Sequence, residues 1–185
     1  MIIILFYKLY LKNELYKMLF IMKFEEELIL SPNILSKNLK NIIKAKLIEK
    51  VQGSVTEKYG YLICVISIGE IPNGVILDTT GDILFKITYR AVVMKPFEGE
   101  VCDGVVEKID QYGLHVTVGP FKVFISNSSF PPGFEYNPNN NIYTSENSDS
   151  LRVNSEVRFR IKGVQFINGD FQPTGTMADN YLGPL

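Results

Sequence analysis

Apolar residues recur along this chain with two different periods, and the change of period marks out its elements. From Lys23 the run KFEEELIL predicts a strand, with Glu25, Glu26 and Glu27 read as a solvated edge or turn. Between Ser36 and about Gln52 the spacing becomes helical: Leu39, Ile42, Ile43, Leu47 and Val51 share one face, while Lys37, Lys40, Lys44 and Lys46 fall largely elsewhere. Ser36 is the predicted cap and Gly53 the terminator. The lysines read as a solvated helix face in preference to a nucleic-acid patch. Two β-rich runs follow, VQGSVTEKYGYLICVISI and GVILDTTGDILFKITYRAVVMKP, broken by Gly60, Gly69, Gly74 and Gly81. One helix on a small antiparallel sheet, an α+β unit over residues 18–96, is the simplest packing.

Beyond Lys95 the period is two. Val101, Val105 and Ile109, then Leu114, Val116 and Val118, then Val123 and Ile125 predict three strands with one face inward. The opposite face carries Tyr112, His115, Lys122 and Phe124, rings and a cation of the kind that meets unstacked bases. Residues 126–150, SNSSFPPGFEYNPNNNIYTSENSDS, are rich in Asn, Ser and Pro and are expected as a long mobile insertion. The runs VRFRIKGVQFI and DFQPTGTM then complete five strands, so residues 97–185 are expected as an all-β barrel of the OB type. Arg158, Arg160 and Lys162 alternate on one face of the first of these runs. Beside Tyr112, His115 and Phe124 they would form a groove tracking a single-strand backbone, and they fit an ordinary exposed strand face equally well.

Charge limits what such a groove can do. The chain has a formal charge of −1, but residues 1–96 carry +4 and residues 97–185 carry −5. An acidic barrel does not hold nucleic acid by bulk electrostatics, so binding there has to be local, stacking-led and weak. With 185 residues and 46% hydrophobic content the chain has ample material for packed cores. Cys64 and Cys102 sit in strand-like runs without Cys or His partners at ligand spacing, and read as buried reduced thiols. Asn127-Ser128-Ser129 fits a glycosylation acceptor, a match that matters only in a secreted chain. The opening MIIILFYKLYLKNELYK is interrupted by Lys8, Lys12 and Lys17 and is too short to span a bilayer. Residues 1–17 are therefore read as an extension outside the fold, ahead of a second start at Met18, with an added amphipathic docking helix as the rival. Catalysis finds no support: the single histidine has no nucleophile at motif spacing, and there is no phosphate loop, HExxH or metal-carboxylate cluster. No cofactor, metal, small-molecule substrate or membrane is called for.

Six stretches carry a resemblance: EKYGYLICV at 57–65, NGVI at 73–76, TYRAVVMKPFEGEVCDGVV at 88–106, QYGLHVTVGP at 111–120, FISNSSFP at 124–131 and MADNYLG at 177–183. In this order, from Met18 to the end, the chain resembles the large stalk subunits of RNA polymerases, the seventh subunit of polymerase II with its archaeal and polymerase I and III counterparts. The resemblance implies a tip domain that docks on core polymerase and an OB domain that meets emerging single-stranded RNA. It also implies a smaller helical partner, the fourth subunit, and a nuclear, noncatalytic role in initiation and clamp closure. Gly60 and the turn Pro72-Asn73-Gly74 would face the polymerase, while Tyr112, His115 and Phe124 would face RNA. The chain departs from related OB domains that carry phenylalanine at the place of His115 and histidine at the place of Phe124. NYLG favours the polymerase II member over the polymerase III one. A free-standing OB-fold protein of translation or RNA decay is the alternative from another class.

Overall fold

Two strands of equal length organise the first unit, Leu19–Lys95, of a computed structural model that describes residues 18–34, 38–138, 140–145 and 150–185. Strand β1 (Leu19–Leu30) pairs antiparallel with β5 (Ile83–Met94) along its whole length, from Leu19 opposite Met94 to Leu30 opposite Ile83. The other side of β5 pairs with β3 (Gly60–Ile68), with β2 (Val55–Thr56) on its far edge, and β4 (Val75–Ile76) adds to the start of β5. Helix α1 (Leu39–Val51) lies on this sheet: its Ile43, Leu47 and Val51 are buried in one cluster with Leu28, Leu30, Phe85 and Ile87. Each such side chain is worth roughly 1.5–3 kcal/mol of transfer free energy. Lys40, Lys44 and Lys46 are exposed, the solvated face expected of them. Glu26 pairs with Lys50 at 2.7 Å and Glu27 with Lys86 at 3.1 Å, so these glutamates are edge ion pairs.

The ends of α1 show where local signals hold. The amide of Gln52 still donates to the Ile48 carbonyl, and Gly53 then turns the chain out with φ of 81°. At the other end the helix starts at Leu39, and the carbonyl of Asn38 accepts from the amides of Asn41 and Ile42. The expected cap, Ser36, and Lys37 lie outside the described residues, as do residues 1–17.

The second unit, from Pro96 to Leu185, is a closed barrel. Strands β6 (Val101–Asp110), β7 (Gly113–Val118) and β8 (Phe121–Ser126) form an antiparallel meander. Closure comes from β12 (Glu156–Ile167) and β13 (Asp170–Thr176): β13 runs parallel to β8 and antiparallel to β12, and β12 returns to β6. Five strands in this order close the sheet on itself, the OB plan expected. Val116, Val123, Ile125, Val157, Phe159 and Ile161 fill the interior.

Strand β6 corrects the expected phase. Val105 is 41% exposed and Val101 only partly buried, while Cys102, Gly104 and Val106 point inward. Gly104 explains this, because a Cβ there would stand 2.5 Å from Val116 Cγ1 and 2.8 Å from Val118 Cγ2. The inward slot at 104 therefore accepts no side chain. A register shift between Val106 and Lys108 then returns Ile109 to the core. Both cysteines are reduced, Cys102 buried and Cys64 half-buried, with burial pushing the Cys64 thiol up.

The stretch 126–150, expected as a mobile insertion, instead carries a small antiparallel sheet in its described residues. Strands β9 (Phe134–Asn137), β10 (Ile142–Ser145) and β11 (Ser150–Leu151) pair in the order β11-β10-β9. Its aromatics anchor it: the rings of Phe130 and Tyr143, both buried, meet edge to face at 4.8 Å. The Tyr143 hydroxyl donates to the Asp110 carbonyl at 2.8 Å, tying the sheet to the end of β6. The chain closes with β14 (Gly183–Pro184), paired with Val157 and Arg158.

Candidate nucleic-acid interface

Cross-strand register sets His115 of β7 directly opposite Phe124 of β8, both facing outward, with ring centroids 5.1 Å apart at 46°. They border a cavity of about 490 Å³, whose lining includes Lys122 on the same side and Gln165, Gln172 and Thr174 from β12 and β13 on the other. Clefts that hold small ligands span about 300–1,000 Å³. The parallel pairing of β8 with β13, Phe124 opposite Thr174, joins the two walls.

Electrostatics in the groove are local and mostly compensated. Lys122 donates to Glu107 Oε1 at 2.7 Å, and the Thr117 hydroxyl donates to Glu107 Oε2 at 2.8 Å. These two hydrogen bonds, from Lys122 first, hold the Glu107 carboxyl below its ordinary value. His115 Nε2 lies 3.5 Å from Asp110 Oδ2. The other oxygen of Asp110 accepts the backbone amides of Tyr112 and Gly113 at 2.9 and 3.1 Å, fixing the β6–β7 turn.

Of the residues singled out in the sequence, the structure brings His115, Lys122 and Phe124 together and sets the others apart. Tyr112 stands on the β6–β7 turn, 67% exposed, outside the lining of the cavity. Arg158, Arg160 and Lys162 do share one face of β12, but they lie outside the lining of this cavity, to which β12 contributes Gln165. Arg158 forms a two-pronged pair with Asp103, its register partner on β6, at 2.8 and 3.0 Å. Arg160 pairs with Asp179 at 2.8 Å, and Lys162 is exposed. Gln165, Gln172 and Thr174 were not singled out, although their alternation on the outer faces of two strands was a usable signal.

In the first unit Pro72, Asn73 and Gly74 are exposed and line a second cavity of about 410 Å³ with Leu39, Ile71 and Ile76. The neighbouring Val75 and Ile76 are 62% and 65% exposed, an apolar tip that the pattern of the sequence did not single out. Gly60, expected with that turn to face the polymerase, is the first residue of β3. It is buried with φ of 89°, and a Cβ there would meet the Met94 carbonyl oxygen and, at 2.8 Å, Lys95 Cβ. Its requirement for glycine comes from close approach to β5. Among the described residues no cluster of His, Cys, Asp and Glu has the makings of a metal site, and no helix is long and apolar enough to cross a membrane.

Comparison with known proteins follows the same division. Residues 25–81 match the family described as the SHS2 domain found in the N terminus of Rpb7p/Rpc25p/MJ0397, and residues 95–165 match the S1 RNA binding domain. DNA-directed RNA polymerase II subunit RPB7 of Saccharomyces cerevisiae is 36% identical over 171 residues, covering 91% of this chain and 100% of the relative. The chain belongs to the RPB7 family. RPB7 of Glycine max is 32% identical over 170 residues, covering 91% of this chain and 97% of the relative. Subunit 7 of DNA-directed RNA polymerase V from Arabidopsis thaliana is 30% identical over 152 residues, covering 80% and 85%. In RPB7-family terms the groove stands on the S1 unit, with Asp170–Thr176 just past the matched residues.

Proposed function

We propose that this chain is the stalk subunit of RNA polymerase II, a noncatalytic nuclear protein that acts by binding. Its end-to-end similarity to a relative named as a polymerase II subunit, 91% of this chain against 100% of that one, carries the reading. In this reading the exposed turn Pro72-Asn73-Gly74, with Val75 and Ile76 beside it, docks on core polymerase, supporting initiation and a closed clamp. A smaller helical subunit completes the stalk. The groove at His115, Lys122 and Phe124 gives weak contact with emerging single-stranded RNA, with the rings stacking on bases. The S1 match and the compensated charge of the groove support RNA contact of this stacking-led kind.

The test is affinity isolation of the tagged full-length chain from its own cells, with mass spectrometry of what copurifies. The large subunits of polymerase II and one small helical subunit are expected. Recovery of polymerase III subunits instead, or a monodisperse chain with no polymerase attached, overturns the reading.

A further inference from the structure

Phe24 on β1 and Tyr89 on β5 are register partners, and both pack on the helix side of the first unit's sheet. Their rings are stacked, 5.5 Å apart at 27°, and Tyr59, from the turn after β2, meets Phe24 edge to face at 5.1 Å and 89°. With Glu25, Glu26 and Lys50 from the end of α1, the three rings line a cavity of about 340 Å³. It shares no lining residue with the cavity at Pro72, Asn73 and Gly74 or with the groove on the barrel. Tyr89 is 4% exposed, and among the described residues nothing hydrogen-bonds to its hydroxyl. A buried phenol ordinarily finds a partner, because leaving it unpaired away from water is costly. We propose that this cavity is a socket for an arginine side chain of a partner protein.

Charge, ring faces and acceptors all ask for the same group. Two carboxylates against one ammonium leave the lining negative. Lys50 takes Oε1 of Glu26 at 2.7 Å, and nothing among the described residues bonds Oε2. Burial first, and then the charge of Glu26, push the Tyr89 phenol up, so its oxygen stays protonated and keeps its lone pairs. A guanidinium is always charged, carries only donors, and lies flat on aromatic rings, whereas an ammonium is compact and more strongly hydrated. Cations are already drawn to these rings: Lys58 Nζ stands 5.0 Å from the centre of Tyr59. The volume is at the low end for small-ligand clefts, which suits a single side chain, and arginine is the charged residue enriched in protein interfaces.

The probe is Nα-acetylargininamide, titrated into the full-length chain and followed by the ring NMR signals of Tyr59 and Tyr89. Nα-acetylcitrullinamide, of the same shape without the charge, and Nα-acetyllysinamide are the comparators. The arginine probe is expected to give saturable shifts at both rings and to bind at least about fivefold more tightly than either comparator, the scale of a cation on a partly desolvated ring. Tyr89→Phe keeps the stack on Phe24 and removes only the oxygen. Without probe this variant should unfold at the same denaturant concentration as the parent or a higher one, while its affinity for the arginine probe falls about threefold or more. No saturable shift, equal binding of a comparator, or undiminished arginine binding by Tyr89→Phe overturns the proposal. Loss of stability in Tyr89→Phe also overturns it, since the hydroxyl would then already have a partner. Each of these outcomes leaves copurification with polymerase, and the stalk reading, where it was.

Discussion

Lys122 shows how a residue on the wall of the proposed RNA groove can have its charge already partnered. Its ammonium is committed to Glu107, and that bond is the first cause of the lowered Glu107 carboxyl. A carboxyl whose folded pKa lies below its unfolded value contributes stability above the unfolded pKa and loses it as pH falls through the folded one. Glu107 therefore stays ionised, and the pair intact, at pH values where an ordinary glutamate is already taking up its proton. Carboxyl-carbon NMR titration of Glu107 is expected to give a midpoint below that of a free glutamate side chain, and Lys122→Ala is expected to move it back up. A midpoint at the ordinary value in the unsubstituted protein would show that Lys122 is free to meet phosphate.

At the scale of elements, α1 is the part of the fold whose role is simplest to test. Leu47 is fully buried among the sheet residues of the first unit, so Leu47→Ala should cost about 2–5 kcal/mol in chemical unfolding. Lys44→Ala, on the exposed face, should stay within about 0.5 kcal/mol of the parent. A small effect at Leu47 would mean that the helix does not hold the sheet. This helix was legible because its stripe at Leu39, Ile43, Leu47 and Val51 is local and unbroken. The barrel was legible for the same reason over β7 and β8. Strand β6 misled at the doublet Val105-Val106, where two adjacent valines fit either phase and only the packing of Gly104 on Val116 and Val118 decides between them. Strands β9–β11 went unread because asparagine and proline dominate the count, although Phe130 and Tyr143 supply the anchoring that composition hides. Half of the groove was legible as the cross-strand pair His115 and Phe124. The glutamine wall was not, since it depends on the parallel pairing of β8 with β13 across some fifty residues of chain, which no local pattern encodes.

The charge of the barrel unit decides how the proposed RNA contact must behave. Residues 97–185 carry −5, and of their six basic residues Lys122, Arg158 and Arg160 are engaged with Glu107, Asp103 and Asp179. Each phosphate neutralised on a single strand contributes about −0.7 to the slope of log K against log salt. With the remaining cations Lys108, Arg152 and Lys162, the full-length chain should give a slope no steeper than about −2. Stacking has no such dependence, so Phe124→Ala should weaken binding by roughly 1–3 kcal/mol at every salt concentration and leave the slope where it was. A steep slope, near −4 or beyond, together with an indifferent Phe124→Ala variant, would relocate RNA binding from the groove to a cationic surface. A shallow slope with a strong Phe124 effect describes a weak, stacking-led contact, which gains occupancy when another domain holds it beside its ligand and raises the effective concentration. The two-unit organisation of the chain fits that need, because the apolar tip at Pro72–Ile76 belongs to a unit with a core of its own.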